Sequence, residues 1–317
     1  MKRLLLLSLA LLLLTGGRAW SYGSSDKGTS GAAFLKIGPG ARPAAMGEAY
    51  AAVEGDAQAV YYNPAGLAAV PGWDLTGMHN QYFQGLSYEF AAAAAPVSRL
   101  IGAEPQRDLG VAALGVTSLS AGEMDRRGLT DAGGPTGTFG ATDMAFSAAY
   151  ARRFDGKLSL GGALKFIHQS LDDKSASAVA VDLGAHYRLD PRWSLGGGLR
   201  HAGSSPKLGS VADPLPMTVF LGGAFQPRED LLFALDLGFP RDRDVLYGVG
   251  AEYVRKLTES ARGAFRMGYS ARSADAEGLG GLTMGMGLGY KSFDFDFAWV
   301  PMGDLGSTFR YSFRLRY

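Results

Sequence analysis

The stretch Thr308–Tyr317, TFRYSFRLRY, decides how the rest of the chain is read. Phe309, Tyr311, Phe313, Leu315 and Tyr317 take the odd positions, and Arg310, Ser312, Arg314 and Arg316 take the even ones. Successive side chains of a β-strand point to opposite faces, so this segment has an aromatic face and a cationic face. One face needs apolar surroundings, and the other needs partners for its charge. The same design recurs upstream. SAVAVDLGAHYR places Val179, Val181, Leu183 and Tyr187 opposite Asp182, Gly184, His186 and Arg188. DLLFALDLGF sets Leu231, Phe233, Leu235, Leu237 and Phe239 against Asp236 and Gly238. SFDFDFAWV sets Phe293, Phe295, Phe297 and Trp299 against Asp294 and Asp296. From about Trp73 onward there are roughly fourteen such segments of about ten residues, the length of a tilted membrane-crossing strand.

The connections fit the same reading. RRFDGK, RLDPR, QPRED, RKLTES and YKS are short charged turns, and they alternate with generally longer links such as SLSAGEMDRRGLTDAGGPTGTFG and RHAGSSPKLGSVADPLP. Short turns at one end and longer loops at the other are the habit of outer-membrane barrels. Tyr150, Tyr187, Trp193, Phe225, Tyr253, Tyr290 and Phe293 gather beside the short turns, where an interfacial aromatic girdle belongs. A soluble β-sandwich also alternates. Its solvent face would be charged, however, whereas here the second face is rich in glycine and alanine. The chain holds 46 glycines, about double the roughly 22 expected at average usage of about 7%. A closed barrel also has no edge strand to protect. The expected fold is an all-β, transmembrane antiparallel barrel of about 14 strands, with a small helical hatch at its N-terminal side.

Three boundaries follow. Residues 1–19 read as an export signal: Lys2 and Arg3 precede the apolar run Leu4–Leu14, and Gly17-Arg18-Ala19 makes a small-x-small cleavage site. Residues 20–70 form the hatch and 71–317 the barrel. The hatch reads differently because GARPAAMGEAYAAVEGDAQAVYYNPAGLAAV has helical rather than alternating spacing. Pro43 suits a helix start, Gly55-Asp56 breaks one, and Asn63-Pro64 is an N-cap followed by proline at the first helical position. The run Ala91–Ala95 reads as a wall packed closely against this hatch or, equally, as a weak strand. A net charge of +1 without a basic block gives no footprint for nucleic acid. The absence of cysteine excludes disulfide scaffolds, thiolate metal sites and a lipid-modified N-terminal cysteine.

Within the hatch, Gly40-Ala41-Arg42, then Ala45-Met46-Gly47-Glu48-Ala49, then Gly55-Asp56-Ala57 and Ala59-Val60-Tyr61-Tyr62-Asn63-Pro64-Ala65-Gly66-Leu67, resemble the start of the PorV/PorQ family. That family sits among the wider FadL-like outer-membrane barrels. The resemblance implies a fourteen-stranded barrel with the hatch inside it. It also implies a non-enzymatic role without cofactor: binding or passing hydrophobic small molecules across the outer membrane, or, as in type IX secretion, holding exported protein cargo. Tyr317 looks like the C-terminal signal that barrel-assembly machinery reads. Outer-membrane lipids would surround the barrel, and both mature termini would be periplasmic.

Catalytic readings are weak beside structural ones. Asp294 and Asp296 share a face, but a turn near Gly303-Asp304 would bring Asp296 near Arg310, and Asp294 near Ser312 and Arg314. A lumenal ladder of Asp294, Asp296, Arg310, Arg314 and Arg316 therefore displaces a carboxylate dyad. Asp74 is expected to meet Arg316 across the closing seam. His79, His168, His186 and His201 have no metal-ligand spacing, and no Gly-x-Ser-x-Gly elbow is present. GLGGLTMGMGLGY lacks the helix and acidic residue of a dinucleotide site, so its glycines read as small lumenal or bulge residues. In the hatch, Gly40, Arg42, Met46, Gly47, Asp56, Asn63, Pro64 and Gly66 are the candidate residues. Their expected work is capping helices and tying the hatch to the wall, with ligand gating or cargo contact as the functional alternative.

Overall fold

The computed structural model describes residues 28–104, 108–128, 134–274 and 278–317; the export signal expected over residues 1–19 lies outside them. The chain forms β1 (Asp74–Gln81), β2 (Ser87–Pro96), β3 (Val111–Arg126), β4 (Gly137–Phe154), β5 (Leu158–Leu171), β6 (Lys174–Arg188) and β7 (Trp193–Gly203). A small hairpin, β8 (Lys207–Leu208) and β9 (Val211–Ala212), interrupts the series. It continues through β10 (Thr218–Arg228), β11 (Leu231–Pro240), β12 (Leu246–Lys256), β13 (Ala261–Ser270), β14 (Leu282–Tyr290), β15 (Phe293–Pro301) and β16 (Ser307–Arg316). All but β8 and β9 pair antiparallel with their neighbours, and β1 closes on β16 with Asp74 opposite Arg316. The result is a closed barrel of fourteen strands.

Its polarity is reversed relative to a water-soluble protein. Leu183 is 55% exposed, Leu235 50% and Phe313 50%, while Asp182 on the inner face is 0% exposed and Lys165 2%. The alternation read from TFRYSFRLRY holds in space: Phe309 and Phe313 face out, and Arg310 and Ser312 are buried inside. No helix of the described residues is long and apolar enough to cross a membrane, so any crossing falls to the strands.

The two ends of the barrel differ. Tyr317 and the start of β1 mark one mouth, here called proximal, where Trp73 and Tyr317 exchange backbone hydrogen bonds of 2.8 and 2.9 Å. The short charged turns lie there, and beside them Trp193 stacks on Phe225 at 4.2 Å. Several distal links are short as well, residues 172–173 being the whole of the β5–β6 turn. Much of the stretch expected as a long link after the third strand is strand instead. β3 to β6 run for 16, 18, 14 and 15 residues. A register shift between Ser120 and Glu123, at Gly122 with φ 65°, flips the faces midway and hides the alternation from a simple period-two reading.

Residues 28–70 lie within this wall. The chain begins its described course at the distal mouth: the Gly31 amide donates to the Pro214 carbonyl at 3.0 Å, and the Ser30 hydroxyl donates to Asp242 at 2.6 Å. It then winds down the lumen to join β1 at the proximal mouth. The first described residues and Tyr317 therefore sit at opposite ends; the mature N-terminus expected after residue 19 lies outside the described residues. Ala32, Phe34 and Leu35 pack against Ala145, Ile167, Ala178 and Ala180. Ala57, Val60, Leu67 and Val70 pack against Ala92, Ala94, Ala113 and Ala149, which places the Ala91–Ala95 run against the hatch.

Helices in this segment are single turns, Ala41–Ala45 and Ala59–Tyr62, plus 3₁₀ turns at Ala33–Lys36 and Pro64–Ala69. The first starts at Ala41, two residues before Pro43, because Gly40 with φ 92° supplies the turn into it. Such short pieces have little stability of their own and depend on the wall. The wall meets them with glycine. A β-carbon on Gly250 would strike Met46, one on Gly196 would strike the Ala51 backbone, and one on Gly161 would strike Pro64. Gly250→Leu is accordingly expected to overpack this contact and lower stability by about 1–3 kcal/mol. The shift should appear as a lower temperature for loss of the compact, heat-modifiable band on a denaturing gel, and an unchanged transition would contradict the tight docking.

Candidate functional site

The hatch is tied to the wall by a network centred on Arg42. Its Nε and Nη2 donate to the Glu252 carboxylate on β12 at 2.8 and 2.7 Å, and its Nη1 donates to the Tyr50 hydroxyl at 2.8 Å and to Asp56 at 3.2 Å. Tyr50 in turn donates to Asp56. Burial pushes the Tyr50 hydroxyl well above its ordinary range, which keeps it a donor. Glu252 is shared with Arg266 on β13 at 2.6 Å, and Arg266 reaches Asp296 on β15 at 2.7 Å. One continuous chain of charges thus runs from the hatch across four strands.

The lumenal ladder is wired differently from the expected hairpin. In register, Asp294 lies opposite Arg314 and Asp296 opposite Ser312. Both carboxylates nevertheless reach across β14 to β13, and only Asp294 keeps a partner on β16. Asp294 pairs with Arg262 and, at 2.9 Å, with Arg316, while Asp296 takes Arg266. The physical reason is β14. Gly285, Gly287 and Gly289 leave a side-chain-free gutter, and β-carbons at Gly287 and Gly289 would sit in the Arg266–Asp296 and Arg262–Asp294 pairs. Arg310 and Arg314 of β16 turn towards the hatch. Arg310 donates to the Gly38 carbonyl at 2.5 Å; Arg314 donates to Gly55 at 2.8 Å and pairs with Asp74 at 2.5 Å. Asp74 stands opposite Arg316 in the seam, yet its side chain meets Arg314.

The other hatch candidates are structural contacts. Asn63 is fully buried and caps the turn Pro64–Ala69 through the Ala65 amide at 3.1 Å. Its amide nitrogen donates to the carbonyls of Ala51 at 2.7 Å and Ala185 at 3.0 Å, binding two hatch turns and β6 together. Gly66 closes against Gly55 through a backbone hydrogen bond of 3.0 Å. Met46 is fully buried against Gly250 and Gly268. Gly40 donates its amide to the Met78 sulfur at 2.9 Å.

Gly47 and Glu48 both adopt the left-handed conformation, with φ 64° and 63°. This turn, costly for a non-glycine residue, points Glu48 towards the distal mouth. There it bonds Arg272 at 2.9 Å and lies 3.8 Å from Arg310. Above it opens a chamber of about 410 Å³ whose walls are mainly apolar: Phe34, Ile37, Tyr82, Phe83, Leu119, Val300 and Met302, with Arg243, Arg272 and Arg310 among the polar groups lining it. A smaller cavity of about 60 Å³ adjoins Tyr61, Phe220 and Tyr247. Arg200 lies over the Phe220 ring at 4.7 Å and the Tyr61 ring at 5.6 Å. Beneath Tyr61, Lys165 and Asp182 form a buried pair at 2.5 Å, and the His201 amide donates to Asp182 at 2.8 Å. His186 contacts the Ala52 carbonyl at 3.1 Å and the His201 ring lies 5.9 Å from the Tyr61 ring, so two of the four histidines are hatch contacts. Among the described residues no group of three or more acidic or histidine side chains is placed to hold a metal.

Sequence reasoning missed Glu48, Glu252, Arg262, Arg266 and Arg272. The arginines at 262 and 266 do carry a signal: they share the lumen face of β13, and glycine occupies the matching positions of β14. Charged residues separated by a glycine-lined strand could have been paired from the alternation alone.

Two outcomes follow from these ties. Arg42→Ala leaves Glu252 and Asp56 without their shared cation and is expected to cost about 3–5 kcal/mol, the range for breaking a buried ion pair from one side. Faster proteolysis within residues 48–62 would report it; wild-type protection would contradict a locking role. Burial alone would raise the Glu48 carboxyl, but Arg272 and Arg310 hold it below the ordinary glutamate range. Its stabilisation is therefore complete above that range and is lost as pH falls through the lowered value. Glu48→Gln is expected to remove this acid-dependent loosening, read as hydrogen exchange of hatch amides against pH.

Comparison by sequence finds no matching family model and no matching curated protein. Comparison by structure finds clear neighbours. The Ralstonia pickettii toluene transporter TbuX superimposes with a TM-score of 0.60 at 15% identity, covering 88% of this chain and 98% of that one. The Pseudomonas putida toluene transporter TodX gives 0.59 at 13%, covering 87% and 96%. A Pseudomonas aeruginosa FadL homologue gives 0.57 at 10%, covering 87% and 98%. The fold is therefore that of the FadL-like barrels.

Proposed function

We propose that this chain is a non-enzymatic outer-membrane barrel that takes a compact hydrophobic molecule into its distal chamber and passes it on when the hatch shifts. The apolar chamber of about 410 Å³, closed beneath by the hatch, carries the reading. Its volume lies in the range of small-molecule sites, about 300–1,000 Å³. The leucine and aromatic outer face fits lipid, and the charged turns with their aromatic girdle fit a membrane boundary. The toluene transporters and the FadL homologue named above share this fold, which supports a hydrophobic cargo. In this reading the proximal mouth faces the periplasm, and Tyr317 is the residue that assembly machinery contacts. The hatch residues that resemble PorV/PorQ lock and cap the hatch, so they serve a cargo-holding barrel equally well.

Purification in mild detergent followed by native mass spectrometry with extraction is the test. The expected result is a hydrophobic small molecule that stays with the wild-type protein. Val300→Trp, which fills the chamber from the wall, should reduce its retention by about tenfold or more, the worth of roughly 1.4 kcal/mol or more. Equal retention would place the molecule elsewhere. An empty barrel arriving with an exported protein would favour the cargo-binding role instead.

A further inference from the structure

Outside the lumen, the wall carries a second concavity of about 550 Å³ across β12 to β16. Two rows of outward side chains define it. The row nearer the proximal mouth runs Arg255, Gly263, Leu288, Phe295, and the next runs Tyr253, Phe265, Met286, Phe297, Tyr311. Gly263, between Arg255 and Leu288, has no side chain, and the notch it leaves is bordered by Leu257, whose Cδ1 would lie 3.4 Å from a β-carbon there. The far side is a rigid aromatic bank: Phe297 lies 5.4 Å from Tyr311, and Phe295 lies 5.1 Å from Phe313.

The chemistry at the rim is specific. Arg255 is exposed, faces outward on the same side of β12 as Tyr253, and has no hydrogen-bond or carboxylate partner among the described residues. The nearest acidic turn residue in the chain, Glu259, is taken by Lys256 at 3.0 Å. Lys291, over the Tyr290 ring at 5.5 Å, adds a second cation at the end of β14. A trough of apolar side chains ending at unpaired cations, at the level of the aromatic girdle, complements an acyl chain ending in a phosphodiester. Long basic side chains at this depth reach the headgroup layer while their stems lie on apolar surface.

We propose that this groove is a binding site for one phospholipid of the proximal leaflet. An acyl chain lies along the Gly263 notch between Phe265 and Leu288, and Arg255 takes the phosphate. The proposal rests on the membrane reading above, and the experiment separates the two. The full-length protein is placed in nanodiscs of mixed phosphatidylglycerol and phosphatidylethanolamine, then released in the mass spectrometer under increasing activation. Failure of the folded barrel to incorporate would overturn the membrane reading together with this site. With incorporation, one phospholipid is expected to survive activation that strips the rest. Arg255→Gln should lower its retention about fivefold, the worth of one basic residue at an anionic surface. Gly263→Leu should abolish retention, with Gly263→Ala as a milder filling of the same notch and heat-modifiable migration confirming that each variant is folded. Arg152→Gln, outward on the opposite side of the barrel, should change nothing. Equal retention in the Arg255 and Gly263 variants would overturn the site, as would a retained lipid A or a retained protein in place of the phospholipid.

Discussion

A lumen ringed by fourteen strands can be sealed with side chains or with backbone, and here backbone does much of the sealing. Hatch turns at Met46–Gly47, Ala51 and Pro64 lie so close to the wall that Gly161, Gly184, Gly196, Gly250 and Gly268 have no room for a β-carbon. Direct contact of this kind excludes water without large apolar residues, but it leaves backbone polar groups facing one another in a buried space. Side chains answer that demand: Asn63 for Ala51 and Ala185, Arg310 for Gly38, Arg314 for Gly55, Tyr61 for Leu35. The charged network thus follows from the close packing.

The same constraint explains why the lumen carries so many arginines. An uncompensated charge there would be expensive, and a neutral lumen would leave hatch carbonyls unsatisfied. Arginine serves both needs because its planar fork reaches a carboxylate and a carbonyl at once, as Arg314 does with Asp74 and Gly55. Glu252 is the point where hatch and wall networks meet, held by Arg42 from inside and Arg266 from the neighbouring strand.

Most of the barrel could be read from sequence because outward-facing and lumen-facing residues alternate with a period of two, which needs no knowledge of the partner strand. The Asn63-Pro64 cap was legible for a similar reason, being a local motif with its own geometry. What could not be read depends on contacts distant in sequence. Arg310 was assigned to Asp296, its near neighbour through the hairpin, but it bonds Gly38 from the other end of the chain. The extension of β3 past Ser120 was hidden by one bulge, and the chamber under Phe83 arises only when the hatch and nine separate strands or links converge.

The course of the hatch constrains how the barrel can be assembled. Residues 28–36 are anchored at the distal mouth by Pro214 and Asp242, while Gly72 and Trp73 leave at the proximal mouth beside Tyr317. The segment therefore threads the ring from end to end, like a cord through a bead. Once β1 has joined β16, the segment can leave only by sliding its whole length through a lumen packed at glycine contacts. Closing the seam around an already seated segment avoids that passage. In the finished barrel both ends of the cord are fastened, so any slack in it is confined to the stretch between them.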